Sequence, residues 1–243
     1  MALALLETNL ATAFVTSETG RIVSENEPGL PPGPRLYLAG CRDGTRVRLR
    51  HDVDDETARI IEALVARQAP WVDPATDPAC LADLLALLAL LAPVESVSRS
   101  ILYRMPHGLT QRAGATILRG DTAEGRAWLA RLSESSMPQH LLDAGFLGAG
   151  DFWDPWCMAL EGETIAAMAF AARNGPRGAE VGVYTFPGFR GRGLAAAVTA
   201  AWSGLAELAD RPLFYSTLTT NTSSQKVAAR LGLPVFGAGI RVS

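Results

Sequence analysis

A glycine-rich segment between an apolar run and an alanine-rich one is the feature that most constrains this fold. Residues 181–186 are apolar, residues 189–195 have the sequence FRGRGLA, and alanines follow. This order predicts a strand, a tight loop and the start of a helix. Backbone N–H groups at a helix N-terminus bind anions, and Arg190 and Arg192 add two guanidinium groups beside them. The segment therefore predicts a phosphate or pyrophosphate site.

Taken alone, the RGRG sequence also fits an exposed basic turn ahead of an ordinary surface helix. Two other phosphate-binding loops fit less well. The chain contains no G-x-x-x-x-G-K-[ST] motif, and its glycines do not form G-x-G-x-x-G with an acidic residue about 20 positions on. We therefore do not expect a nucleotide triphosphatase or a dinucleotide-dependent oxidoreductase.

Two motifs in the second half of the chain resemble the GCN5-related N-acetyltransferase (GNAT) superfamily. The R-x-x-G-x-A pattern of residues 190–195 resembles the family's pyrophosphate loop, and residues 185–187 (TFP) resemble the end of its fourth strand. About 30 residues on, residues 221–233 (NTSSQKVAARLGL) are similar to the family's Asn-led helix, which ends in a Leu-Gly step. The resemblance covers residues 115–243.

This resemblance implies a fold, a co-substrate and a set of binding residues. The fold is a mixed α/β (α+β) sheet whose two central strands splay to admit acetyl-CoA. The pantetheine arm pairs with the strand before the loop, the pyrophosphate rests on the loop, and no metal is needed. The implied cofactor-binding residues are Val183, Thr185, Arg190, Gly191, Arg192, Gly193, Leu194, Ala195, Asn221 and Ser224.

Acyl transfer to an amine also requires a base near the acceptor. Amines are mostly protonated near neutral pH, and only the neutral form attacks, so a carboxylate is expected there. Glu180 is the candidate, because several family members carry a base on this strand that acts through water. The alternative is an ordinary surface glutamate at a strand end.

The departing thiolate must be protonated or stabilised. Many family members place a tyrosine seven residues after the motif asparagine, but that position is Ala228 here. Ser224 and Tyr215 are the candidate substitutes. Alternatively, Ser224 serves only the helix start or CoA, and Tyr215 is a half-buried sheet residue. A thiol of pKa about 8.5 also leaves as thiolate if backbone donors stabilise it.

An aromatic and acidic segment precedes the central strands. Phe152, Trp153 and Trp156 lie close in sequence to Asp151 and Asp154. The cluster fits either an acceptor pocket that attracts an amine or ordinary core with a loop.

Composition and charge exclude several classes of protein. The net charge of −3, from 22 basic and 25 acidic residues, gives no broad cationic surface for nucleic acid or an anionic membrane. Residues 81–94 are apolar but too short to span a bilayer, so we expect a buried helix there. The first residues lack the basic region of a secretory signal, and the three cysteines are widely spaced. We therefore expect a cytoplasmic protein without a disulfide framework or zinc cluster. None of the three histidines lies in a recognisable catalytic triad, so we do not expect covalent nucleophilic catalysis.

The order of the predicted elements indicates two domains, a smaller α/β module over residues 1–113 and a second domain over residues 114–243. The resemblance implies that the second domain is GNAT-like. In the first domain we expect an N-terminal helix, a loop over 25–34, a hairpin of 36–40 with 45–50, helices over 54–67 and 81–91, and a strand over 97–103. In the second we expect strands over 115–119, 156–160, 164–172, 179–186, 213–217 and 235–242, and helices over 122–132, 138–145, 193–209 and from Asn221. Alternating arginines in 46–50 predict a solvated, cationic edge strand.

The sequence thus predicts an N-acetyltransferase that moves an acetyl group from acetyl-CoA to a small-molecule or peptide amine by direct attack in a ternary complex. The alternative is a catalytically inactive acyl-CoA-binding sensor or interaction module. The N-terminal module is expected to bind the acceptor, pack on the catalytic domain or mediate self-association, for example as a homodimer.

Overall fold

The computed structural model describes residues 2–111 and 114–243, in which helices cover a large mixed sheet. The strands are β1 (Phe14–Thr16), β2 (Ile22–Glu25), β3 (Leu36–Cys41), β4 (Gly44–Leu49), β5 (Val97–Met105), β6 (Thr116–Arg119), β7 (Trp156–Glu161), β8 (Thr164–Gly175), β9 (Gly178–Thr185), β10 (Leu213–Leu218) and β11 (Val235–Val242). The α-helices are α1 (Ala2–Ala13), α2 (Asp55–Ala66), α3 (Leu81–Leu91), α4 (Ala123–Glu134), α5 (Gln139–Leu142), α6 (Leu194–Trp202) and α7 (Thr222–Arg230). Two 3₁₀ helices cover Ala149–Asp151 and Ala206–Leu208.

Nine of the strands form one sheet in the order β4-β3-β11-β5-β10-β9-β8-β7-β6, and β1 pairs with β2 separately. Neighbouring strands in the large sheet are antiparallel except β9 and β10, which are parallel. The expected mixed α/β fold is confirmed.

Strand β5 joins the two parts of the chain. It lies between β10 and β11, pairing Tyr103 with Tyr215 on one side and Ile101 with Ala238 on the other. The hairpin of β3 and β4 continues the sheet beyond β11. The first 111 residues therefore share one sheet with the last 130. The division into domains at 113/114 stays a prediction, and residue 113 lies outside the described residues.

The two faces of the sheet are covered by different helices. On one face, α6 packs Leu194 and Val198 against strand residues such as Val181 and Tyr215. On the other face, α4 and α5 cover the β6–β9 side, and α1 packs near β3 and β9. Side chains alternate along a strand, so Glu180 points to this second face.

Helix α6 is shorter than the helix predicted over 193–209. It ends at Trp202, whose fully buried indole donates its Nε1–H to the Pro155 carbonyl at 2.7 Å. Gly204 follows, and the chain then forms a 3₁₀ turn. This hydrogen bond ties the last turn of α6 to a residue 47 positions away in sequence.

The arginines of the edge strand β4 are not simply solvated, which corrects the expected wet cationic face. Arg46 Nε and Arg48 Nη2 donate to the two carboxylate oxygens of Glu7 in α1, at 2.6 and 2.5 Å. The helix therefore neutralises part of this edge.

Helix α3 has the predicted bounds but buries only one face. Leu81, Leu84 and Leu88 are buried, whereas Leu90 is 82% exposed. Within the described ranges, no helix combines the length and hydropathy needed to cross a membrane.

Candidate active site

The parallel strands β9 and β10 separate after a short contact. They pair only at Ala179 with Leu213 and at Glu180 with Phe214, and then diverge. Residues 181–185 continue to pair with β8, so the edge of β9 that faces β10 has no strand partner in the described part of the chain. The divergence opens a cavity of about 1090 Å³. Its wall includes backbone donors and acceptors available to an extended ligand.

The cavity is lined by the two diverging strands, the glycine loop and α7. The lining residues are Ser100, Val181, Gly182, Val183, Tyr184, Thr185, Phe189, Arg190, Gly191, Gly193, Leu194, Ala195, Ala196, Tyr215, Ser216, Thr217, Leu218, Asn221, Ser223, Ser224, Lys226, Val227 and Arg230. Nine of the ten residues proposed from the sequence as cofactor-binding are among them. The tenth, Arg192, is not.

The loop depends on glycine for its backbone conformation. Gly191 and Gly193 have φ values of +78° and +80°, in the left-handed region that other residues rarely adopt. Gly193 immediately precedes α6, and the first residues of α6 line the cavity. A Cβ at Gly193 would lie 2.4 Å from Nη1 of Arg230. The N-terminal N–H groups of α6 are thus presented beside the cavity without a side chain between them.

Four basic side chains surround this loop, and they differ in position. Arg190 lines the cavity, whereas Arg192 turns away to Glu161, with Nη1 2.5 Å from Oε2. Lys226 and Arg230, which the sequence reasoning missed, line the cavity from α7. Lys226 and Arg230 lie four residues apart on the helix that follows Asn221, and this spacing could have revealed them, since i and i+4 share a helix face.

Two candidate proton donors, proposed separately from the sequence, are in contact. The Tyr215 hydroxyl lies 2.7 Å from Oγ of Ser224 and donates to the Ser224 carbonyl at 3.2 Å. Asn221 Oδ1 caps α7 by accepting from the Ser224 N–H at 3.0 Å. Burial raises the pKa of Tyr215 above its ordinary value, although the Ser224 hydrogen bond opposes this. Tyr215 therefore keeps its proton at neutral pH.

Ala228, at the position where many family members carry a tyrosine, is completely buried in the core on the α6 side. It is not among the cavity residues. A tyrosine hydroxyl comes instead from Tyr215 of β10, which meets Ser224 in the first turn of α7.

Glu180 lies next to the cavity but does not line it. It is only 5% exposed, and its Oε1 accepts hydrogen bonds from Ser216 Oγ and from Arg173 Nη1, the latter at 3.0 Å. Ser216 does line the cavity. The structure thus connects the proposed base to the cavity through one serine hydroxyl.

Arg173 holds Glu180 within a larger charge network. Its Nη2 contacts Glu25 at 3.1 Å and Glu27 at 2.7 Å, and Arg241 pairs with Glu25. Burial lowers the pKa of Arg173, but the neighbouring carboxylates outweigh this and raise it above its usual range. Burial raises the pKa of Glu27. The residues at the end of β2 therefore help to fix a candidate catalytic side chain on β9.

A second cavity of about 450 Å³ lies beside β8 and contains part of the aromatic and acidic segment. Phe152, Trp153 and Asp154 line it. Trp156 is buried in the core, and Asp151 Oδ2 accepts from the Leu147 and Gly148 N–H groups. The remaining lining residues are Asn26, Glu27, Pro28, Leu129, Ala149, Gly150, Ala171 and Asn174.

The cysteine side chains lie away from this chemistry. Cys41, Cys80 and Cys157 are buried and unbridged. Burial raises the pKa of Cys157 to about 12, so its thiol stays protonated. In residues 2–111 and 114–243, no group of three or more His, Cys, Asp or Glu side chains is arranged to hold a metal ion.

Solved structures of similar fold span much of the chain at low identity. A GCN5-related N-acetyltransferase from Kribbella flavida has 16% identity and a TM-score of 0.47, and the match covers 99% of this chain and 93% of that one. A GNAT-family acetyltransferase from Colwellia psychrerythraea has 14% identity and a TM-score of 0.43, with coverages of 99% and 95%. A GNAT-family protein from Novosphingobium aromaticivorans has 20% identity and a TM-score of 0.41, and the match covers 61% of this chain and 65% of that one.

Comparisons of sequence gave one match. No curated protein matches the chain. The model of a protein family described as "Acetyltransferase (GNAT) domain" matches residues 78–234, which is more than half of the chain. The match starts at α3 and includes β5, so it extends further toward the N-terminus than the resemblance over 115–243.

Proposed function

Because the chain belongs to the GNAT acetyltransferase family, whose members transfer acyl groups from acyl-CoA to amines, we propose that it acetylates an amine with acetyl-CoA. The amine attacks the thioester carbonyl directly, within a ternary complex. An amide bond forms, the carbon–sulfur bond breaks, and the products are the acetylated amine and free CoA. The observation that carries this proposal is the cavity between β9 and β10, which joins an open strand edge to the glycine loop.

The residues of this cavity fit the chemical parts of CoA. The open edge of β9 at Val183 and Thr185 offers backbone partners for the amide groups of pantetheine. The N–H groups of residues 190–195 offer donors for the pyrophosphate. Lys226 and Arg230 add positive charge from α7, with the Arg230 guanidinium beside Gly193 of the loop. Acetyl-CoA, when bound, supplies an activated acyl group, and the protein supplies its position.

Glu180 is proposed as the base for the acceptor amine, with Ser216 as its connection to the cavity. The Ser216 hydroxyl contacts Glu180 and lines the cavity, so a proton from the amine can pass through it to the carboxylate. Arg173 holds the carboxylate in place. In this arrangement Arg173 is a positioning residue.

Tyr215 and Ser224 are proposed to protonate the thiolate of the leaving CoA. Their hydroxyls are in contact, and both residues line the cavity. A neutral tyrosine next to a second hydroxyl can donate and then be reprotonated through its neighbour.

Calorimetric titration with acetyl-CoA tests the binding part of the proposal. We expect saturable binding by the wild type and no binding by Gly193→Trp, because an indole at this position meets Arg230 and blocks the loop. Gly20→Trp is the matched control. Gly20 has nearly the same φ, +78°, and an added Cβ there meets nothing within 4 Å. Equal binding by the two variants would remove the loop as the cofactor site.

Turnover of an amine panel tests the chemistry on the same proteins. We expect Glu180→Gln to bind acetyl-CoA normally and to acetylate about 100-fold more slowly, within the range typical of a lost general base. An unchanged rate contradicts the role of Glu180. Saturable acetyl-CoA binding without acetylation of any amine would favour the catalytically inactive sensor or interaction module, which Ala228 at the usual tyrosine position permits.

A further inference from the structure

We propose that the acceptor is a primary amine on an apolar body without an anionic group, and that Phe146, Phe170 and Tyr184 form the surface that binds this body. These three residues are called the aromatic surface below. The inference rests on the proposed function, because it concerns the acceptor of that reaction. It goes further in naming the chemical class of the acceptor and the face of the sheet that it contacts.

The aromatic surface lies on the same face of the sheet as the proposed base. Side chains alternate along β9, so Glu180, Gly182 and Tyr184 share one face, while Val181 packs on the α6 side. Ser216 of β10 belongs to the face of Glu180 as well, because its hydroxyl contacts that carboxylate. Gly182, Tyr184 and Ser216 all line the first cavity. On this face, the cavity is therefore bounded both by the serine next to the base and by one ring of the aromatic surface.

Phe170 of β8 reaches over β9 because Gly182 has no side chain. The two residues pair across the neighbouring strands. A Cβ at Gly182 would lie 2.5 Å from Cε2 and 2.7 Å from Cζ of Phe170, so the ring occupies the space where a side chain of β9 would stand. Gly182 lines the first cavity, and Phe170 is only partly buried. The ring therefore covers the strand that forms the cavity wall.

Contacts with buried rings hold the other two members of the aromatic surface in place. Phe146 and Tyr184 meet edge to face, with centroids 6.0 Å apart and an interplanar angle of 65°. Phe146 stacks on the buried Phe152 at 5.4 Å, and Tyr184 meets the buried Phe186 edge-on at 4.9 Å. Phe146 and Tyr184 themselves stay partly exposed. Rings that are fixed and partly exposed offer apolar area to a ligand.

The charges around the aromatic surface disfavour an anionic acceptor. Residues 137–156, which supply Phe146, contain three aspartates and no lysine or arginine. Arg173 already shares its guanidinium among three carboxylates. The basic residues that line the first cavity come from the glycine loop and from α7, which packs on the α6 face: Arg190, Lys226 and Arg230. A carboxylate or phosphate on the acceptor would thus lose water at the aromatic surface without gaining a cation.

Calorimetric titration of the full chain with amines, in the presence of excess CoA so that no acyl group can be transferred, tests the inference. We expect 2-phenylethylamine to bind about tenfold more tightly than ethylamine, which lacks the ring, and about tenfold more tightly than phenylalanine, which adds a carboxylate. Phe146→Ala and Tyr184→Ala should each weaken binding of 2-phenylethylamine about tenfold, whereas Tyr184→Phe keeps the ring and should bind it like the wild type. Phe236→Ala is the matched control, because Phe236 is a partly buried ring on β11 that lines neither cavity.

Several outcomes overturn the inference. These are equal affinity for 2-phenylethylamine and ethylamine, tighter binding of phenylalanine, no amine binding, or undiminished binding by both alanine variants. Loss of binding in Tyr184→Phe also overturns it, because the hydroxyl and not the ring would then be the contact. Binding of 2-phenylethylamine that Phe146→Ala weakens, with no amine ever acetylated, supports this surface and refutes the proposed activity. Acetylation of ethylamine and 2-phenylethylamine with equal kcat/KM and equal affinity refutes this surface and supports the activity.

Discussion

A tyrosine hydroxyl reaches the cavity of this protein from a strand, whereas many members of the family carry one on the helix that follows the motif asparagine. Tyr215 and Ser224 lie nine residues apart, and their hydroxyls meet because β10 runs directly beneath the first turn of α7. The sequence predicted each residue as a candidate but not their contact, because that contact depends on how the helix packs on the sheet. The same packing buries Ala228.

We predict that Tyr215→Phe lowers kcat about tenfold without changing acetyl-CoA affinity, because the ring stays in place and only the proton donor is lost. Because burial raises the pKa of Tyr215, the wild type keeps this donor to higher pH than an ordinary tyrosine would. Steady-state kinetics across pH measure both effects. Tyr103→Phe is the control, since Tyr103 packs edge-on against Tyr215 at 6.0 Å but does not line the cavity. Equal kcat values for the two variants would exclude Tyr215 as the donor.

Helices α4 and α7 begin with the same type of cap but face different surroundings. Thr122 Oγ1 accepts from the Gly125 N–H at 3.0 Å, and Asn221 Oδ1 accepts from the Ser224 N–H at 3.0 Å. Only Asn221 lines the first cavity. Comparing substitutions at the two caps therefore distinguishes an effect on helix stability from an effect on ligand binding.

We predict that Thr122→Ala and Asn221→Ala each lower the free energy of unfolding by about 1 kcal/mol, the usual contribution of an N-cap. Only Asn221→Ala should also weaken acetyl-CoA binding, because it removes a polar group from the cavity wall. Urea denaturation and calorimetry measure the two quantities. If Asn221→Ala binds acetyl-CoA like the wild type, capping is the whole role of this side chain.

Elements with clear periodicity were predictable, and those defined by distant contacts were not. The apolar spacing and the cap at Asp54 placed α2 within one residue of its bounds, and β11 was predicted over its full length. Strands β1 and β2 have three and four residues, too few for an alternating pattern to stand out. The last turn of α6 is tied to Pro155 through Trp202, a contact 47 residues away that no local pattern indicates. The sequence offered residues 151–156 as one possible pocket wall, and Phe152, Trp153 and Asp154 do line the second cavity, but the contribution of residues 26–28 depends on tertiary contacts and could not be predicted.

At the scale of the whole molecule, the position of β5 makes the sheet a joint product of both parts of the chain. The glycine loop, β9, β10 and α7 all come from the second part. Yet β10 and β11 do not pair with each other, because β5 lies between them. Without β5, both strands would expose unpaired backbone edges.

We therefore predict that residues 114–243 alone show no cooperative unfolding transition and bind no acetyl-CoA. Addition of residues 1–113 as a separate chain should restore both properties, because it supplies β5. Circular dichroism during thermal unfolding and calorimetry provide the measurements. A cooperatively folded, acetyl-CoA-binding fragment 114–243 would contradict this expectation and would support an independent second domain.

The insertion of β5 also affects the order in which the sheet can be assembled during synthesis. About 110 residues separate the end of β5 from the start of β10, its first neighbour in the sheet. At about 5–20 residues per second, a ribosome needs roughly 5–20 s to make this stretch. During that time Leu102 and Met105, both buried in the final fold, have no neighbouring strand on either side. The newly made chain thus carries an exposed apolar strand until its last strands emerge, and we expect a chaperone that binds such strands to raise the yield of folded protein.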